Sequence, residues 1–590
     1  MNKRPEASRV LAAIGVFAAL VSATCGGSPP DQAGVSASLI LRGANVITMD
    51  DAEPRAEAVA VIGDRIVYVG SDEGVEAWRG PETNVVDLNG ATVLPGFTDA
   101  HAHLMGVGRL NTQVDVLEST SFQEVLDAVT AAVAEAEPGE WIVGRGWHQE
   151  KWTDAPQPSV RGFPVHDALT AISPNNPVAI RHASGHGRLA NALALEAAGI
   201  TADTPDPPGG EILHMPDGRP SGMLLENAED LVHEVYQVWL DARSPAERMA
   251  DERQALRLGI EEFLQNGITQ VQTAPADEHE GADEEEVALY RAGLEAGELK
   301  LRVWTMLDGR HVTDERLARL RTIGEGGHRL TVRTIKGYAD GALGSRGAML
   351  LEPYADDPTT GEERLPRQRL EEIVELALRH DYQAAIHAIG DGANRRVLDI
   401  YEEAFARRPD EDSDRRFRIE HAQIVHPDDI GRFAALGVTA AMQGVHSTSD
   451  GPWTPTRLGA ERTESEAFPF RSLQESGALI VNGTDSPVER INPFASIAGL
   501  AVGLMNNGEV FNPHHLLTRE QALATYTINP AIAAFEEEVR GSIVAGKLAD
   551  FTITAEDPLT VPDEQLVATR VVMTIVGGDV VYSTDELGGG

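Results

Sequence analysis

The chain has 590 residues, room for several domains or for one large α/β unit with appendages, and its 42% hydrophobic and 24% charged residues exclude a disordered, collagenous or multi-span membrane chain. Its 92 acidic residues against 49 basic ones leave a net charge of −43, a field that repels phosphate and so excludes nucleic acid and anionic membrane surfaces as partners. Only five of the 49 basic residues are lysines (Lys3, Lys151, Lys300, Lys336 and Lys547), so a lysine in this chain is an unusual choice.

The first element is a targeting segment. Lys3, Arg4 and Arg9 form a positive start, Val10 to Val21 is an apolar stretch too short for a comfortable membrane span, and Ser22-Ala23-Thr24-Cys25 reads as a small-residue cleavage site. Residues 1–24 are therefore expected to be a signal peptide and 25–37, which begins Cys25-Gly26-Gly27-Ser28-Pro29-Pro30, a flexible tether. A cysteine at this point resembles a bacterial lipoprotein signal, in which Cys25 becomes the lipidated N-terminus. The resemblance implies a cell-envelope protein, periplasmic or at the outer membrane, that meets a membrane only through its lipid anchor; plain secretion is the alternative.

Next come two short runs, Ala37 to Met49 and Ala58 to Gly70, that alternate apolar and polar residues and read as strands joined by a turn. Gly541 to Ile553 and Val571 to Tyr582 read the same way at the far end. Both chain ends, 38–92 and 536–583, are thus expected to build one small β-sandwich flanking a central domain over 93–535.

That central domain has barrel rhythm. Its strands are read as Val93 to Asp99, Ile268 to Thr273, Leu301 to Met306, Thr331 to Lys336, Gln383 to His387, Phe417 to His421, Val438 to Gln443 and Leu479 to Asp485, with helices such as Gln368 to His380 and Asn394 to Arg408 as crossovers. The fold class is α/β, a (β/α)8 TIM-like barrel. The stretch from about 108 to 265 exceeds any ordinary βα connection and must hold an inserted subdomain, with Trp141, Trp147 and Trp152 in its core. The acidic run Asp277 to Glu286 and His514-His515 read as solvated surface.

Chemistry appears at the strand ends. Asp99-Ala100-His101-Ala102-His103 puts two imidazoles on one side of an extended segment, since strand side chains repeat every two residues, and converging neutral imidazoles suit Zn²⁺ and similar cations. Lys336, His387, His421 and Asp485 close strands four, five, six and eight at the face where barrel active sites lie.

With Ala339-Asp340-Gly341-Ala342-Leu343-Gly344-Ser345-Arg346, His387-Ala388-Ile389-Gly390-Asp391, Arg418-Ile419-Glu420-His421-Ala422-Gln423 and Asn482-Gly483-Thr484-Asp485-Ser486-Pro487-Val488, these positions resemble the amidohydrolase superfamily, specifically family 3, the YtcJ-like or N-substituted formamide deformylase-like group. The resemblance runs from about residue 38 to 583. It implies one metal on His101, His103 and Asp485 and another on His387 and His421, with Lys336 bridging them as a carbamate: one or two Zn²⁺ ions, Mn²⁺ and Co²⁺ being the alternatives. It implies a bridging hydroxide as nucleophile, with Asp485, Lys336 and His421 as the catalytic residues and Asp485 moving the proton.

His186, His446, Arg346 and Asp391 match positions where substrate contacts are expected, and Glu420 one that orients ligands. The expected activity is hydrolysis of a C–N bond in a small amide, N-substituted formamide or cyclic amide. A deaminase or an ester or lactone hydrolase on the same barrel, or an idle lipid-anchored binding protein, are the alternatives, and a homodimer is left open.

Overall fold

The computed structural model describes residues 36–275, 281–408 and 414–585; the expected signal peptide, Cys25 and nearly all of the tether lie outside the described residues. Eight parallel strands form the central sheet: β1 Phe97–Ala102, β2 Ile268–Thr273, β3 Arg302–Asp308, β4 Leu330–Tyr338, β5 Gln383–Ala388, β6 Arg418–His421, β7 Thr439–Met442 and β8 Ile480–Asn482. All but Arg333 and Tyr338 of β4 are buried in these strands, as barrel strands covered by helices outside and side chains inside must be. The sheet runs in sequence order and nearly closes where the segment after β8 meets β1: the Asp485 N–H donates to the His101 carbonyl at 2.7 Å. Gly483 permits that approach, because a Cβ there would sit 2.5 Å from the His101 nitrogen.

The helices follow the same logic. Arg367–His380 buries Leu370, Ile373, Val374 and Ala377, a three-four spacing that turns one stripe to the barrel, and it ends at Asp381 in the left-handed region. Pro245–Gln265 opens on a capping box between Ser244 and Glu247 with Pro245 in its first turn. It packs on Leu104–Leu110, directly after β1, and leads into β2. The barrel's outer layer therefore resumes near residue 245, earlier than the sequence spacing suggests.

The run expected to be the first barrel strand splits at Gly96. Thr92–Pro95 pairs with Phe551–Thr554, and only Phe97 onward enters the barrel. A Cβ at Gly96 would lie 2.4 Å from Thr269 Oγ1, so the chain passes β2 too closely for any other residue. Through that pairing the two chain ends share a six-stranded sheet, which faces a four-stranded sheet of Leu39–Arg42, Ala58–Ile62, Arg65–Gly70 and Asn84–Asp87 across a core that includes Leu41, Val59, Phe551 and Ile575. Between β1 and β2 a second six-stranded sheet, containing Ile142–Trp147, Val178–His182, Gly187–Ala190 and Pro220–Glu226, forms the inserted subdomain, with Trp147 and Trp152 in its core. The acidic run is not wholly solvated: Asp283 is buried against Arg316 and Glu286 against the Tyr290 hydroxyl, while 276–280 lie outside the described residues. Among the described residues no helix is long and apolar enough to cross a membrane.

Candidate functional site

At the C-terminal end of β1 the two-residue repeat does what the sequence requires: His101 and His103 face the barrel mouth with ring centroids 5.9 Å apart. Asp485, just past β8, places Oδ1 3.3 Å from His103 Nε2 and 3.6 Å from His101 Nε2. One donor atom from each of the three lies within 4.8 Å of the others, two imidazoles and a carboxylate in a mostly buried site. This donor chemistry fits a zinc-like divalent cation.

The ring of His101 is fixed from behind. Its Nδ1 meets Glu420, whose two oxygens are also held by Arg418 through Nε at 2.7 Å and Nη2 at 3.1 Å, all fully buried. A carboxylate on Nδ1 leaves Nε2 unprotonated and directed at the site, the usual support of a metal-binding histidine. Burial pushes His101 down to about 4 and His387 and His421 well below the usual histidine range, so all three rings are neutral donors at neutral pH. Burial opposes ionisation of Glu420, but Arg418, His101 and Lys336 together outweigh it and hold the carboxyl well below its usual range.

His421 and Asp485 both have left-handed backbones, φ 77° and 54°, where a non-glycine residue costs about 1–3 kcal/mol. Asp99 on β1 holds the second of these turns: it accepts the Thr484 N–H at 3.1 Å and the Thr484 hydroxyl at 2.6 Å, its own carboxyl pushed up to about 7 by burial. Burial works against ionisation of Asp485 too, but the hydrogen bond from His103, with His101 and His421 beside it, keeps that carboxyl well below the ordinary range.

The second group of converging donors differs from the expected one. His421 Nδ1 bonds Gln443 Oε1 at 2.8 Å and lies 4.0 Å from Asp485 Oδ2, and the third member is His446, whose buried Nε2 has no hydrogen-bond partner. His387 joins neither group: its ring centroid is 4.4 Å from that of His421, and its Nε2 is 3.5 Å from Asp340. Asp340, pushed up to about 7 by burial, accepts the N–H groups of Ile389, Gly390 and Met349 and so ties the loop after β4 to the one after β5. Lys336 is buried, with Nζ 3.4 Å from His101 Nε2, and has no ion pair with a carboxylate among the described residues. Burial lowers its pKa to about 8.

The inserted subdomain and the barrel mouth together line a cleft that opens to solvent. His186 lines it, bonded to Glu226 at 2.8 Å, and so does His446. Arg346 and Asp391, expected to touch substrate, do not line it. Arg346 is turned to Asp356 at 2.7 Å, and Asp391 sits in the first turn of Asp391–Ala406, accepting the Leu351 and Gly392 N–H groups. Their short-range bonds explain the difference: a loop ion pair and a helix start use both side chains structurally. Cleft residues not singled out from the sequence include Arg145, His148, Asp450 and Glu489. Lys151 also lines the cleft, paired with Glu489 at 2.9 Å, and its rarity as a lysine was a usable signal.

Comparison with known proteins agrees with this geometry. The model of the Amidohydrolase family matches residues 84–582. The putative amidohydrolase YtcJ of Bacillus subtilis (strain 168) is 31% identical over 92% of this chain and 99% of its own. The N-substituted formamide deformylase of Arthrobacter pascens is 30% identical over 92% of this chain and 98% of its own. Among solved structures, an uncharacterized metal-dependent hydrolase from Pyrococcus horikoshii OT3 superposes with a TM-score of 0.69 at 25% identity, covering 89% of this chain and 99% of that one.

Proposed function

The chain belongs to the amidohydrolase family, and on that premise we propose that it hydrolyses a C–N bond in an amide, N-substituted formamide or cyclic amide with the help of one or two divalent cations. The observation that carries the reading is the convergence of His101, His103 and Asp485 at the barrel mouth beside a buried lysine. These three would hold one cation; His421, with His387 or His446, would hold a second, and a carbamate on Lys336 would join the two. Zinc suits this donor set best. When bound, the cations lower the pKa of water towards neutrality and polarise the substrate carbonyl.

The protein's own groups do the rest. Burial keeps His101 neutral, Glu420, itself held by Arg418, keeps it aimed, and Asp99 holds the turn that presents Asp485. Asp485 is ionised and can accept the proton of the attacking water, then deliver it to the nitrogen as the C–N bond breaks.

Removal of metal tests the reading. Dialysis against a chelator should abolish turnover across a panel of amides, N-substituted formamides, esters and lactones, and Zn²⁺, Mn²⁺ or Co²⁺ should restore it. Full activity in rigorously metal-free protein rejects a metal-dependent hydrolase, and turnover confined to the esters and lactones moves the activity off the C–N bond.

The expected location belongs to the same proposal: lipidation of Cys25 would hold the enzyme at the cell envelope, since stable anchoring takes more than one acyl chain. In detergent phase partitioning, Cys25→Ala should move the protein to the aqueous phase or block processing. A Cys25→Ala protein that stays equally membrane-bound is held by something else.

A further inference from the structure

Four cationic side chains of this strongly acidic chain line the cleft besides Lys336, and three of them are neutralised. Lys151 pairs with Glu489 at 2.9 Å, Arg364 with Glu226 at 3.3 Å, and Arg181 holds Glu229 with two bonds of 2.7 and 3.1 Å. Arg145 is the fourth. Its Nη2 donates to the Ala183 carbonyl at 2.8 Å, its buried Nε has no hydrogen-bond partner, and among the described residues it forms no ion pair with a carboxylate.

The local architecture makes this costly. Arg145 and Arg181 stand directly opposite each other on the parallel strands Ile142–Trp147 and Val178–His182, and Arg188 follows opposite Arg181 on Gly187–Ala190. Three guanidiniums in a cross-strand row repel, and Glu229 serves only Arg181 closely, standing 4.0 Å from Arg188. Burial and the neighbouring Arg181 push the Arg145 guanidinium down to about 9 against the more distant attraction of Asp485 and Glu229, as fits a buried cation with no carboxylate in ion-pair contact. The turn through Ser184 and Gly185 wraps it, with the Gly185 Cβ position only 3.3 Å from Nη2, so the fork is held in place. A local rule broken in this way, in the wall of a catalytic cleft, calls for a ligand that completes it.

We propose that Arg145 is a specificity-determining residue that binds a carboxylate of the substrate, so that this cleft takes amides carrying an acid group away from the scissile bond. The inference rests on the amide-hydrolase reading and deepens it. Arginine suits the role, because its planar fork matches a carboxylate with two parallel bonds. The substrate's carboxylate would supply the charge that Glu229, Glu226 and Glu489 supply to the other three cations. The barrel residues then act on the amide while the inserted subdomain reads the acid.

A matched pair of substrate series tests this: ω-formamido carboxylates of two to six methylenes against N-alkylformamides of the same lengths, each measured as kcat/KM on the metal-loaded enzyme. At the best length the acid should be preferred by about 10²-fold, the scale of a hydrogen-bonded charge pair, and Arg145→Met should bring that ratio close to one. Arg145→Lys, which keeps the charge without the fork, should retain part of the preference and guards against a misfolded variant. Calorimetric titration with adipate needs no turnover, and its affinity should fall at least about 10-fold in Arg145→Met. Hydrolysis of both series with no preference for the acids overturns the inference and leaves the amide reading standing. If neither series is hydrolysed, the formamide form of the reading fails; adipate binding that is weaker in Arg145→Met still upholds the carboxylate site, and unaltered binding overturns it.

Discussion

Asp485→Asn is expected to lower kcat by about 10²- to 10⁴-fold while the fold survives, because one carboxylate is asked to hold metal and to move the proton. Asp485 is the only residue common to both groups of converging donors among the described residues, and it is ionised where Asp99, equally buried, is pushed up to about 7. Asparagine keeps the shape. The turn itself is held by backbone and neighbouring groups, namely the Asp485 N–H to the His101 carbonyl and Thr484 to Asp99, so the substitution removes charge and basicity without removing those supports. Steady-state kcat, read beside metal content and a thermal melt, checks this. A near-normal kcat in a folded, metal-loaded variant takes Asp485 out of the chemistry.

The barrel and its ligands were legible because their signals are local. Short β-rich runs ending in polar residues marked all eight strands, and Ile268–Thr273 agrees at both ends. The residue at each strand end names its own chemistry, so His101, His103, Lys336, His387, His421 and Asp485 all meet at one mouth, within the cleft. What the chain did not disclose depends on distant pairing. Gly96 splits a run that reads as one strand, because only the folded chain brings Thr269 beside it. His446, expected only to contact substrate, lies in the short helix Gly444–Ser449 after β7, and nothing in its neighbours indicates that it meets His421 and Asp485. Arg145 stood in a strand of the insert among 44 arginines, one basic residue in every ten being lysine, and its lack of an ion-paired carboxylate is a property of the fold alone. Arg346 and Asp391 err the other way: they sit in motifs rich in functional residues but serve the loops.

Lys336→Ala is expected to lose one metal equivalent and at least about 10²-fold in kcat, the scale of removing one group that stabilises developing charge. The reasoning begins with burial. Lys336 lies inside the barrel with Nζ 3.4 Å from His101 Nε2, no carboxylate paired with it among the described residues, and a pKa brought down to about 8. A lysine so placed has about a tenth of its amine free at pH 7, far more than an ordinary lysine, and a free amine adds carbon dioxide, forming an N–C bond and releasing one proton, to give a carbamate whose single negative charge is shared by two oxygens. Arginine, which fills 44 of the 49 basic positions, stays protonated and cannot do so. The ammonium form would set a positive charge against the proposed cations, whereas a carbamate would supply a negative group able to join them. If that bridge is what the position supplies, then acetate or propionate at high concentration should partly restore both metal and activity to Lys336→Ala by filling the space left. Bicarbonate should likewise speed metal uptake by the stripped wild-type enzyme and have no effect on the variant. Rescue by a primary amine instead of a carboxylate would mean that the lysine acts as a cation and that another group joins the metals.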